Sequence, residues 1–245
     1  MLVVESARVF GRDPEFVLPT ACAVEYIHTY SLIHDDLPAI DNDYLRRGKP
    51  ACHTVYGEDV AILAGDALYS EAFRLISGVQ EADDPRRIIW VINELATASG
   101  VAGMVGGQVV DIKSEGVDVD AETLDFIHEK KTGEFIKASV RAGAILAGAT
   151  EAELDLLTDY AKYLGLAFQI TDDILDEIGD TAVLGKTVGS DKRQEKATYP
   201  KVHGLEAAKE MAKLTTGNAR DMLKGLNGDG SVLAGLADFV YERNY

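Results

Sequence analysis

Apolar side chains recur at helical spacing along nearly the whole chain. Val17, Ala21, Val24, Ile27, Tyr30 and Ser31 form one such run toward Ile33, and Val60, Leu63, Ala67, Phe73 and Ile76 form another. That period belongs to helices with a buried face, and no long stretch alternates as a half-buried strand would. Stop and start signals are dense, at Asp13-Pro14, Gly57, Asp83-Asp84-Pro85, Asp120, Thr150 and Gly204. Together they predict about nine or ten helices and no strand. Asp120 before Ala121-Glu122 and Thr150 before Glu151 and Glu153 read as N-caps with acids in the first turn, where the helix dipole favours them. Neither an internal repeat nor a low-complexity linker interrupts the pattern, so one all-α domain is expected over residues 1–245. Its least helical stretch runs from Gly179 to Tyr199.

Composition then narrows the function classes. The 245 residues are 47% hydrophobic and 27% charged, ample for a packed core. With 24 Lys and Arg against 41 Asp and Glu the net charge is −17, which argues against a nucleic-acid or anionic-membrane binder. Apolar runs such as Ile88 to Ile92 fall far short of the roughly 18 residues of a membrane span, so none is expected. Met1-Leu2-Val3-Val4 meets Glu5 and Arg8 at once, leaving no apolar stretch for a signal peptide. Two cysteines, Cys22 and Cys52, make no disulfide framework and suit a reducing cytoplasm, where both are expected as small buried side chains. Trp90 is expected to pack within the bundle.

Charge is unevenly placed. The 16 residues from Lys186 to Lys201 carry five basic side chains (Lys186, Lys192, Arg193, Lys196 and Lys201) among glycines of a very acidic chain, which suggests an anionic ligand. Just upstream, Asp172 and Asp176 lie four residues apart in an apolar helical context, on one face with about 5 to 6 Å between Cβ atoms, and Gln169 falls on the same side. Like charges at that spacing repel, and a divalent cation makes the arrangement favourable. A second cluster stands in His34-Asp35-Asp36-Leu37-Pro38-Ala39-Ile40-Asp41, followed by Arg46, Arg47 and Lys49. Pro38 must loosen the helix, which would let Asp41 swing back beside Asp35. One Asp-Asp pair alone is usually a solvated helix face. Two, each with cations close behind, describe a magnesium and diphosphate site, since magnesium takes one or two carboxylates plus substrate phosphates.

In this order, the residues resemble the trans-prenyltransferases, the all-α isoprenyl diphosphate synthases, whose helices surround a central cavity. The resemblance rests on His34 to Asp41 with Leu45-Arg46-Arg47-Gly48-Lys49-Pro50, on Phe168-Gln169 through Asp176, and on the marks between and after them: Gly65-Asp66, Gly107-Gln108 with Asp111, Lys131-Thr132, Gly185-Lys186, Asp191 and Lys196-Ala197-Thr198-Tyr199-Pro200. It implies Mg2+-assisted loss of diphosphate from an allylic substrate, attack by isopentenyl diphosphate on the carbocation, and loss of a proton. By the same resemblance Asp35, Asp36, Asp41, Asp172, Asp173 and Asp176 form the metal set, and Arg46, Lys131, Lys186 and Lys196 bind the allylic diphosphate. Thr132 and Gln169 line the carbocation, His28 and Arg47 contact isopentenyl diphosphate, and Gln108 joins the substrate-binding group. A homodimer is implied as well. Family members carry a Gly-Lys-x-x-Arg-Pro segment before the first helix, and this sequence starts too late to contain it, so either a truncated chain, the favoured expectation, or a natural variant with an impaired second-substrate site is expected.

The expected product is farnesyl diphosphate. Tyr30 and Ser31 lie four to five residues before Asp35, about one helical turn below the metal site, and Tyr30 is bulky enough to stop a growing chain. The alternative is geranylgeranyl diphosphate, because plant-type synthases of that product share the insertion containing Pro38 but carry Met at the position of Tyr30. Three rivals fit less well. A metal phosphohydrolase wants more His ligands than His53, His128 and His203 supply at their spacing. A terpene cyclase has Ser or Thr at the position of Asp176 and a Glu at that of Asp180. A noncatalytic partner subunit tends to lose Asp residues that this chain keeps.

Overall fold

The computed structural model describes residues 1–117, 119–178 and 198–242. Its elements are α1 (Leu2–Val9), a 3-10 turn (Pro14–Val17), α2 (Leu18–Asp35), a hairpin of β1 (Leu45–Arg46) and β2 (Lys49–Pro50), α3 (Cys52–Tyr56) and α4 (Glu58–Gly78). There follow α5 (Arg86–Ser99), α6 (Met104–Ser114), α7 (Ala121–His128), a π-helical segment (Glu129–Gly133), α8 (Glu134–Ala147) and α9 (Glu151–Ile178). The order closes with α10 (Tyr199–His203), α11 (Leu205–Leu223) and α12 (Ser231–Glu242). The fold is all-α, as expected.

Helix ends follow the sequence signals. The Asp120 side chain accepts from the Thr123 N–H at 2.9 Å, capping α7. At α9, Thr150 N–H donates to Glu153 at 2.9 Å and Glu153 N–H returns a bond to Thr150 Oγ1 at 3.4 Å, a reciprocal capping box. Two departures have local causes. The hairpin was not expected, and it forms because Arg47 (φ 53°) and Gly48 (φ 73°) both adopt left-handed backbone, the two-residue turn whose twist suits a hairpin. Holding a non-glycine residue there is strained and presents Arg47 at the tip. Beyond the end of α2, Asp41 N–H donates to the Asp35 carbonyl at 2.9 Å, so the chain folds back as the Pro38 argument anticipates.

The main packed pairs are α2 on α4, α1 and α5 on α8, and α9 on α11. The larger apolar cluster includes Ile27, Ile76, Leu95, Leu146, Leu157 and Tyr160, and a smaller one gathers Leu124, Ile170, Ile174 and Tyr199. Three expectations about ordinary residues need correction. Trp90 is 48% exposed rather than packed, Cys22 is exposed and Cys52 only partly covered. Helix α5 turns its Val91, Leu95 and Ala98 stripe to the core, and at 100° per residue Trp90 falls on its polar side, among Arg86, Asn93, Glu94 and Thr97. The expectation of no membrane span is also qualified. The stretch Arg86–Ser114 is long and apolar enough to cross a membrane by length and composition, and only 28% of its most apolar window is buried.

Candidate active site

Asp35 and Asp36 part company at the end of α2, because neighbouring helical residues point about 100° apart. Asp36 turns inward, 2% exposed, and accepts from Arg46 Nε at 3.0 Å and from Arg46 Nη2. Burial pushes its carboxyl pKa up while the Arg46 guanidinium pulls it down. Asp35 and Asp41 face the other way, toward Lys131. Burial disfavours the Lys131 ammonium, but Asp111, Asp35 and Asp41 outweigh it and raise the pKa above the ordinary lysine value. Lys131 Nζ donates to Asp111 Oδ2 at 2.8 Å. Gly107 makes this approach possible, since a methyl group there would collide with the backbone of Lys130 and Lys131.

The other motif lies on α9. Asp172 is half-buried, Asp173 and Asp176 are 7% and 3% exposed, and Gln169 is half-buried one turn earlier. Asp173 accepts from the Tyr199 N–H at 2.8 Å and pairs with His128 Nε2 at 3.2 Å, while Gln169 Nε2 meets His128 Nδ1 at 2.9 Å. The short segment from His128 to Lys131 therefore touches both motifs, Lys131 the first and His128 the second. Lys186 and Lys196, with Gly185 and Asp191, lie outside the described residues.

The hairpin brings the remaining basic groups to the first motif. Burial lowers the His28 pKa, Glu25 opposes this, and Arg47 and Arg46 lower it further, which sets His28 close to both arginines. Gln108 Nε2 is buried and meets no hydrogen-bond partner among the described residues, and Thr132 follows Lys131 in the π-helical turn. Tyr30 sits among His34, Tyr69 and Asp66 between α2 and α4, its ring 4.9 Å from those of both His34 and Tyr69. Ser31 turns its hydroxyl back to the His28 carbonyl at 2.9 Å.

Oxygen donors arranged this way fit magnesium. Asp41 is folded back onto Asp35, and among the described residues no three His, Cys, Asp or Glu side chains gather closely enough to hold a metal alone. An ion here would complete its shell with water and substrate phosphate oxygens, the usual habit of Mg2+.

Comparison with known proteins decides the family. The polyprenyl synthetase family model matches residues 1–224. This chain belongs to the polyprenyl synthetase family. Over 99% of its length and 83% of theirs, this polyprenyl synthetase is 49% identical to the farnesyl diphosphate synthase of Escherichia coli. It is 46% identical to the geranylgeranyl diphosphate synthase of Cyanophora paradoxa, over all of this chain and 82% of that protein. The fold matches a geranyltransferase from Helicobacter pylori, solved with magnesium and isoprenyl diphosphate, with a TM-score of 0.86, 31% identity, and coverage of 99% of this chain and 81% of that one. What sequence reasoning missed in this polyprenyl synthetase is His128. Its partners lie 41 and 45 residues away, and no spacing signal announces them.

Proposed function

We propose that this polyprenyl synthetase makes farnesyl diphosphate by joining isopentenyl diphosphate to dimethylallyl or geranyl diphosphate. It is a short-chain prenyltransferase. The observation that carries the reading is Lys131, kept charged beside Asp35, Asp41 and Asp111 on the segment whose His128 grips the second motif. Magnesium, when bound at Asp35, Asp41 and Asp172 with Asp176 in support, supplies Lewis-acid stabilisation of a departing diphosphate. Asp36 and Asp173 brace that set from behind, through Arg46 and through His128 with Tyr199. Lys131 and Arg46, with Lys186 and Lys196, neutralise the allylic diphosphate, and Thr132 and Gln169 turn oxygen dipoles toward the cation. His28 and Arg47 hold isopentenyl diphosphate, with Gln108 offering an amide nitrogen that has no partner among the described residues. No separate general base is needed, because the released diphosphate can take the proton.

Tyr30 supports the choice of product. Its ring packs between those of His34 and Tyr69, one turn before Asp35, and a bulky ring at that place would stand in the way of a longer chain. Tyr30→Ala is expected to shift the product from fifteen toward twenty carbons with total turnover within about threefold of wild type, since its ring packs against His34 and Tyr69 and makes no hydrogen bond to the metal-set carboxylates. Chromatography of the extracted prenols checks this. A wild type that already makes mainly the twenty-carbon product would favour the geranylgeranyl reading, which relatives of that kind keep open.

The same reading includes a homodimer in a reducing cytoplasm, to which the two free thiols are suited. Ile89, Trp90, Val101, Val105 and Val109 are exposed apolar side chains on and between α5 and α6, material for a face between two copies. A second copy presenting the same face would cover it. Trp90→Glu combined with Val101→Glu is expected to halve the sedimentation mass. A wild type that is monomeric and partitions into detergent would point to a membrane-facing use instead.

A further inference from the structure

We infer that His128 is a positioning residue that fixes the amide of Gln169 with its carbonyl oxygen turned away from His128, toward the reacting substrate. The inference rests on the prenyltransferase reading for the role of Gln169, but its geometry stands alone. His128 is 7% exposed and held on three sides. Tyr199 stacks on its ring at 5.3 Å and 16°, Asp173 Oδ2 lies 3.2 Å from Nε2, and Gln169 Nε2 lies 2.9 Å from Nδ1.

The chemistry of these partners sets the proton. An ionised Asp173 only accepts, so Nε2 must carry the hydrogen that points at it. The Gln169 nitrogen only donates, so Nδ1 is the accepting nitrogen of this pair. Asp173 accepts from the Tyr199 N–H on the same oxygen, and the Tyr199 hydroxyl donates to Asp125, which holds the ring stacked on His128 in place. With its NH2 committed to His128, Gln169 has its carbonyl oxygen left for a ligand, and no donor among the described residues occupies that oxygen. A carbonyl dipole lowers the energy of a neighbouring cation and an NH2 group raises it, so the orientation matters to a carbocation reaction.

A double-mutant cycle separates positioning from packing. Gln169→Leu and His128→Phe, the second keeping an aromatic ring against Tyr199, are each expected to lower kcat by about tenfold or more with KM for the allylic diphosphate nearly unchanged. The double variant should be no slower than Gln169→Leu alone, because His128 acts through Gln169. His128→Asn, whose Oδ1 can take the place of Nδ1 as acceptor, should recover most of the rate, whereas His128→Gln should not. A readout independent of turnover is the 15N spectrum of histidine-labelled wild-type protein at neutral pH, where the His128 Nδ1 signal should be that of an unprotonated nitrogen. Multiplicative losses in the double variant, or a ring protonated on both nitrogens, would overturn the inference while leaving the enzyme reading intact. An inactive wild type would instead remove the reading of Gln169.

Discussion

Asp35→Ala and Asp41→Ala are each expected to lower kcat by about a thousandfold while moving the melting temperature by no more than about 4 °C. A thousandfold is about 4 kcal/mol of transition-state stabilisation, the scale of a lost metal contact to a departing anion. Stability should respond little, because each variant removes one carboxylate from a crowd of them. Asp36→Ala provides the contrast. That side chain is buried against Arg46, and its loss strands a half-covered guanidinium, so unfolding should become easier before the rate of the folded fraction changes much. Steady-state rates at saturating magnesium, read beside thermal melts, check all three. Near wild-type kcat in Asp35→Ala would contradict the assignment.

Lys131→Met should lower kcat by at least about a hundredfold, since a fixed cation at a leaving diphosphate acts where negative charge develops. It should also cost about 1–3 kcal/mol of stability, because Asp111 loses its 2.8 Å partner in a partly buried setting. The two losses can be separated. Adding Asp111→Asn to Lys131→Met removes the charge that faced Lys131 and is expected to restore most of the melting temperature and none of the rate. Parallel recovery of both would reduce Lys131 to a structural ion pair.

Much of this was legible in the sequence because local chemistry decides it. The Asp120 cap and the Thr150 and Glu153 box form as written, since their partners are three residues away. Pro38 loosens the chain and Asp41 returns to Asp35 for the same reason. The facing of the paired aspartates was half legible. Spacing places Asp172 and Asp176 on one face, and the same rule shows that Asp36 and Asp173 must leave it, but which partners they find depends on Arg46 in a hairpin and on His128 and Tyr199 across the fold. The hairpin itself needed left-handed backbone at Arg47, a residue whose type does not ask for it. Trp90 defeated the pattern because it falls on the polar side of α5, among Arg86, Asn93, Glu94 and Thr97, and Cys22 on α2 because periodicity marks a face without saying which chain covers it.

The most direct test of the account is the product formed by the purified protein from geranyl and isopentenyl diphosphates, with magnesium and with excess chelator. The account predicts farnesyl diphosphate with magnesium and no condensation with chelator. Condensation that survives the chelator, or no condensation with the metal present, would contradict it.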